Sequence, residues 1–152
     1  MSNIRNIYGI SQNLNTKDFI IVLEYAEGGN FNDWINEKYE TYNWFDRILT
    51  LFSIISGLKE IHEKNMVHCD FHTGNILIKS DGFMRNDAYI SDMGLCGKVG
   101  NLDKTEIYGV MPYVAPEVLS GKPYTQAADI YSFGMIMYFI ITGRLIMPMM
   151  NF

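Results

Sequence analysis

Residues 67–77 read VHCDFHTGNIL: an aspartate, four further residues, then an asparagine that opens an apolar strand. A second carboxylate, Asp92, follows 17 positions after Asn75, in the turn Asp92-Met93-Gly94 that ends the run AYIS. Hard divalent cations such as Mg2+ take oxygen ligands and keep much of their water, with one or two protein groups and substrate phosphates completing the shell. The amide oxygen of Asn75 and the carboxylate of Asp92 suit that requirement. Asp70 is not needed for the metal and is free to accept a proton from a hydroxyl. Either piece alone, D-x4-N or D-x-G, is common in ordinary loops and turns, so the weight rests on the elements around them.

Those elements are legible in outline. DFIIVLEYA (residues 18–26) is a β-branched run consistent with a buried strand, broken by EGGN and followed by a short helix in FNDWINEKY. From Trp44, the apolar residues Phe45, Ile48, Leu49, Phe52, Ile55, Leu58 and Ile61 recur at spacings of three and four, one face of a helix of about six turns. NILIK and DAYIS flank Ser80, Asp81 and Gly82 and read as a hairpin, which brings Asn75 and Asp92 to neighbouring strand ends. Residues 93–112 hold four glycines and little periodicity, as a long functional loop would. Thr125 is an N-cap for a helix running to Thr142 with Gly143 as its stop, and its apolar character nearly all round predicts a central, buried position.

Bulk properties narrow the class. A chain of 152 residues, 48% hydrophobic and 19% charged, is long enough for one domain with a sizeable core, and its net charge of −5 argues against a dedicated nucleic-acid binder. Cys69 and Cys96 are too few for a disulfide framework and have no metal-ligand spacing. The start MSNIRNIYG lacks an apolar leader, and the most apolar stretch, residues 130–141, is short of the ~20 needed to span a bilayer. A cytoplasmic protein without membrane or nucleic-acid partners is the expectation.

In order along the chain, HCDFHTGN, DMG, VAPE and DIYSFG resemble the carboxy-terminal lobe of eukaryotic protein kinases. GVMPYVAPEVLSGKPYTQAADIYSFGMIMYFIITGR is most similar to the tyrosine-kinase-like group of Ser/Thr kinases. D-x-H-x-G-N also occurs in small-molecule kinases resembling aminoglycoside and choline phosphotransferases, but those lack the A-P-E and D-x-x-S-F-G segments present here. The resemblance implies an α+β, protein-kinase-like fold: a mainly helical lobe with short β-hairpins and an amino-terminal lobe that is largely missing. Residues 1–30 would be the end of that first lobe and the hinge, and residues 31–152 the second lobe through its buried helix. The implied activity is ATP- and Mg2+-dependent phosphoryl transfer to Ser/Thr hydroxyls of a protein substrate. Its alternative is a catalytically inactive pseudokinase or protein-binding module.

Residue by residue, the resemblance makes Asp70 the catalytic base and gives Mg2+ to Asn75 and Asp92. The hinge would be residues 24–26, with the C=O of Glu24 and the N–H of Ala26 meeting the adenine edge. Leu23 would stand at the gatekeeper position and Leu77 on the floor below the adenine. Met93 replaces the usual phenylalanine and should pack with His68, itself expected to be a structural histidine. Asp129 should anchor the catalytic loop, His62 should be a surface or helix-end residue, and the Cys96 thiol should be unreactive.

Several positions depart from the family pattern. Cys69 stands where many kinases carry an arginine, so phosphorylation at Thr105 or Tyr108 should not act through the usual charge pairing. His72 stands where Ser/Thr kinases carry a lysine and is the second catalytic candidate. Val110 stands where Ser/Thr kinases commonly have threonine. No G-x-G-x-x-G loop, lysine strand or helix glutamate precedes residue 18, and Lys17 does not match the family's lysine. Impaired transfer is therefore expected, together with association through apolar surface left by truncation, at Ile20, Val22 and Leu23 and at the Met- and Phe-rich tail.

Overall fold

The computed structural model describes residues 7–80, 86–100 and 107–144. Asp81 and Gly82 of the expected turn, Thr105 and the tail from 145 onward lie outside the described residues. The chain runs β1 (Ile7–Gln12), β2 (Phe19–Leu23), α1 (Phe31–Lys38), α2 (Trp44–Glu63), β3 (Met66–Val67), β4 (Ile76–Ser80), β5 (Asn86–Ile90), β6 (Gly97–Lys98), α3 (Pro116–Leu119) and α4 (Gln126–Thr142). Among the described residues the strands form three separate two-stranded antiparallel sheets, β1–β2, β3–β6 and β4–β5, so the fold is α+β, with helix outweighing strand from residue 31 onward.

Each long helix begins where a side chain can take an orphan amide. Asn30, Asn43 and Thr125 accept from the N–H groups of Asp33, Asp46 and Ala128 at the starts of α1, α2 and α4. Gly143 closes α4 with φ +67°, a left-handed conformation that glycine adopts without strain.

The main core packs α2 against the β4–β5 hairpin, α1 and α4. Leu51, Ile54, Leu58 and Ile61 of α2 meet Ile76, Ile78, Ala88 and Ile90 of the hairpin, Phe31, Trp34 and Ile35 of α1, and Ile136 and Ile140 of α4. Each fully buried Leu or Ile contributes about 1.5–3 kcal/mol relative to exposure. A second cluster joins Val67 and Cys69 to Val114, Ala115, Val118, Tyr124 and Ala128.

Three expectations about burial need correction. β2 is exposed along its whole length, because β1 is its pairing partner and no described element covers either face. Ile20, Val22 and Leu23 are accordingly 47%, 43% and 48% exposed, the uncovered apolar surface that the sequence suggested. On α2, Phe45, Ile48 and Phe52 point to solvent while Leu51 and Ile54 turn inward. The helix is apolar on more than one side, and its packing partners choose the face. On α4, Ile136 and Ile140 are buried but Ile130, Tyr131, Met137, Tyr138 and Ile141 form an exposed stripe, so this helix is half-buried rather than enclosed.

The expected hairpin forms, with Ile76 opposite Ile90 and Leu77 opposite Tyr89. β6 lies inside the segment 93–112 read as loop; pairing with β3, it carries the chain after Asp92 back alongside the residues that precede Asp70.

Candidate functional site

Residues 68–75 are held from three directions. From α4, the buried Asp129 carboxylate accepts the His68 N–H at 2.8 Å and the Cys69 N–H at 3.2 Å. From the end of α2, His62 Nε2 lies 2.8 Å from the same carboxylate. From just beyond β5, the Ser91 carbonyl meets His68 Nε2 at 3.1 Å, while His68 Nδ1 accepts the Asp70 N–H at 3.3 Å. With one ring nitrogen accepting, the Nε2 proton points to Ser91. Burial pushes the His68 pKa below its usual value, and the ring is neutral. The expected roles of His68 and Asp129 follow from these bonds. His62 is corrected: its side chain is only 15% exposed and completes the Asp129 anchor. Its partner lies 67 residues away, which no spacing in the sequence could signal.

Cys69 sits in this loop with φ +71°, an uncommon conformation for a residue with a Cβ, and its side chain joins the second core cluster. Burial, reinforced by Asp129 and Asp70, pushes its thiol up to about 12; Cys96, also desolvated and near Asp129, is pushed up to about 12. Neither sulfur is a nucleophile at neutral pH. A cavity of about 10 Å³, room for roughly one water, lies between Cys69, Asp70, Gly109, Tyr124 and Asp129. Tyr124 fixes the loop over it, its hydroxyl accepting the Tyr108 N–H at 2.8 Å and donating to the Tyr108 carbonyl.

The Asp70 carboxylate has two unlike oxygens. Oδ2 accepts from the Asn75 amide at 3.2 Å, and the same amide donates to the Asp70 carbonyl at 2.8 Å. Oδ1 is buried and has no hydrogen-bond partner among the described residues, although the side chain as a whole is 20% exposed. His72 Nε2 stands 3.3 Å from Oδ1, close enough for charge interaction but not aligned as a hydrogen bond. His72 Nδ1 accepts the Gly74 N–H at 3.0 Å, so in the neutral ring the proton sits on Nε2, facing Asp70. Gly74 allows this close approach: a Cβ there would fall 2.8 Å from the imidazole.

Because its amide nitrogen is committed to Asp70, Asn75 presents Oδ1 as the atom able to meet a cation. Its backbone carbonyl accepts both the N–H and the hydroxyl of Ser91, each at 2.9 Å, which sets Asp92 one residue beyond the join. Asp92 is exposed with φ +55°, and its Oδ1 accepts weakly from the Gly94 N–H at 3.4 Å. One amide oxygen and one exposed carboxylate are a donor set of the hard-oxygen kind that Mg2+ takes. Met93 packs half-buried on the main core, and its sulfur lies 3.5 Å from Cys96 Sγ.

The segment that follows Glu24 and Ala26 is joined to β4. The Gly28 N–H donates to the Ile78 carbonyl at 3.0 Å, the Ile78 N–H donates to the Gly29 carbonyl at 2.9 Å, and Asn30 bridges Leu77. The segment after Ala26 therefore runs antiparallel to β4, beside Leu77. Leu23 ends the exposed strand β2, opposite Ile7, and is 48% exposed.

Comparison with known proteins agrees with this geometry. The family model described as "Protein kinase domain" matches residues 1–151. The chain is 35% identical over 143 residues to Serine/threonine-protein kinase 17A of Oryctolagus cuniculus, covering 93% of this chain and 34% of that protein. It is 36% identical over 132 residues to Mitosis inhibitor protein kinase SWE1 of Candida albicans, covering 86% and 11%. With Serine/threonine-protein kinase STE20 of Saccharomyces cerevisiae the identity is 31% over 129 residues, covering 84% and 13%. The chain thus spans about a third or less of these relatives' length. With the anchored loop at Asp70 and the Asn75–Ser91–Asp92 join, the match across residues 1–151 shows that this chain belongs to the protein kinase family.

Proposed function

We propose that this chain carries the proton-accepting and metal-binding half of a Ser/Thr protein kinase site, of the tyrosine-kinase-like group, acting on a protein substrate with ATP and Mg2+. Residues 1–30 serve as the end of the first lobe and the hinge, and residues 31–152 as the second lobe. The observation that carries the reading is the asymmetry of Asp70: Oδ2 is fixed by Asn75, and Oδ1 is left without a hydrogen bond beside the His72 imidazole.

A substrate hydroxyl that donates to Oδ1 would satisfy that oxygen and be oriented for attack. The bond from Asn75 stops the carboxylate from rotating away. Asn75 Oδ1 and Asp92 would hold Mg2+, which when bound neutralises charge on the phosphates of ATP. His72, in place of the family's lysine, supplies an N–H beside Asp70 rather than a fixed positive charge. Glu24 and Ala26 offer backbone groups to the adenine edge, with Leu77 below and Leu23 at the rear. Transfer by this chain is slow, because no described lysine takes the family's phosphate-clamping position. Losing one preorganised electrostatic contact typically costs about 10²–10³ in rate.

The test is phosphate transfer to a generic protein substrate, with Asp70→Asn as control. Turnover above that control supports the reading. Thermal stabilisation by Mg–ATP without turnover favours the inactive binding module, and absence of both refutes nucleotide use by this chain.

A further inference from the structure

Side chains alternate along a strand, and Ile76 and Ile78 of β4 are fully buried against the core, so Leu77 and Lys79 share the opposite face. Lys79 Nζ lies 2.6 Å from Glu24 Oε1, an ion pair spanning 55 residues of sequence, and the glutamate side chain is only 15% exposed. The hydrogen bond and charge of Glu24 raise the Lys79 pKa and keep the ammonium protonated. The residue opposite Lys79 in the hairpin is another carboxylate, Asp87, and the ammonium is nevertheless directed to Glu24.

Beyond this pair, the backbone bonds between residues 28–29 and Ile78 tie down the other end of the same loop. Gly28 is required there, since a Cβ would fall 2.6 Å from the Ile78 carbonyl oxygen. The segment from Glu24 to Gly29 is therefore strapped to one strand at both ends, by a charge pair at its start and by main-chain bonds at its finish. Tyr25, between the straps, is 77% exposed and gives the loop little anchorage of its own.

We infer that Lys79 is a positioning residue for the nucleotide. By holding the Glu24 carboxylate it fixes the adjoining peptide, whose carbonyl meets the adenine edge. The inference rests on the reading of residues 24–26 as the hinge and deepens it. Lys79 touches no substrate atom; its effect passes through Glu24.

The test compares Lys79→Met, which keeps length and loses charge, with Lys79→Arg, which keeps both. Amide hydrogen exchange at residues 25–29 is followed in the full chain without nucleotide, and affinities for adenosine and for magnesium tripolyphosphate are measured separately. In the methionine variant, exchange should quicken and adenosine affinity fall, each by about two- to fivefold, the upper range for an ion pair open to solvent on one side. Tripolyphosphate affinity should stay the same, and the arginine variant should return both readouts to within about twofold of the starting chain. Unchanged exchange in the methionine variant overturns the strap itself. Altered exchange with unchanged adenosine affinity overturns the positioning role. If the unsubstituted chain binds no adenosine while exchange still responds, the hinge reading fails, and the positioning role with it.

Discussion

Asp129 offers the sharpest test of how the loop at residues 68–75 is built. Its carboxylate is 2% exposed and meets the N–H groups of His68 and Cys69 and the Nε2 of His62. Hydrogen bonds to a charged group contribute about 1.5–3 kcal/mol each, and a buried donor left without a partner costs about 1–3 kcal/mol. Alanine would remove both loop bonds and strand both amides, a loss of about 4–6 kcal/mol that approaches the whole stability of many domains. Asparagine is the better probe. It keeps one oxygen for one amide, at neutral strength, and turns an N–H toward the other, so the expected loss is about 2–4 kcal/mol.

The assay is denaturant unfolding with linear extrapolation, combined with hydrogen exchange at His68 and Cys69. The exchange readout matters because Cys69 is held at φ +71°, a conformation that costs roughly 1–3 kcal/mol at a non-glycine residue and relaxes when its anchor weakens. Protection at residues 68–69 should fall further than protection of α2. An Asp129→Asn chain within about 1 kcal/mol of the parent, with exchange at residues 68–69 unchanged, would refute the anchoring argument.

Three further outcomes are expected. The buried Arg47 donates to the carbonyls of Tyr42, Ile140 and Ile141 at the end of α4 and lies 4.8 Å from the Tyr39 ring centroid, so Arg47→Met should cost about 2–4 kcal/mol in denaturant unfolding; a loss under 1 would contradict it. His68 has a folded pKa below its unfolded value, so its contribution to stability is complete above pH ~6.5 and is lost as pH falls, by up to about 1.4 kcal/mol per pH unit; His68→Asn should flatten the slope of unfolding free energy below pH 6.5, and coincident slopes would count against a neutral buried ring. With both thiols pushed up to about 12, Cys69 and Cys96 should alkylate at pH 8 on the order of 10³ times more slowly in the native than in the denatured chain, and comparable rates would show that burial is not controlling them.

What the sequence made legible is the order of local signals. Asp70, Asn75 and Asp92 are placed by a helix stop, a hairpin and a turn, each encoded within a few residues, and Thr125 and Gly143 mark the ends of α4 in the same local way. What it could not show are choices between equally apolar faces and pairings across long stretches of chain. Ile48 and Ile54 are alike as residues, and only α4 and β5 decide that Ile54 goes inside. His62 and Arg47 read as ordinary polar positions on a helix, and only the approach of α4 supplies Asp129 to one and two carbonyls to the other. The Lys79–Glu24 pair is hidden for the same reason, since strand alternation predicts the face that Lys79 occupies but not the carboxylate above it.

The two halves of the proposed site are thus built from different materials. Around Asp70, a buried carboxylate, a neutral imidazole and an amide fix the loop from α2, α4 and β5, in surroundings where each lost bond is costly. Around Glu24, an ion pair shielded on one side and two backbone bonds hold a largely exposed segment. β4 joins them, with Asn75 just before its first residue and Lys79 four positions later, about 13 Å along an extended strand. At that separation, perturbations at the two ends should add rather than couple. A sequence drifting away from activity could therefore loosen the adenine end while keeping the Asp70 end, because the core of the fold depends on the second and hardly on the first. The presence of Asp70, Asn75 and Asp92 is then weaker support for nucleotide binding than the geometry of Glu24 and Lys79, and the proposed hinge is where activity and mere descent would be told apart.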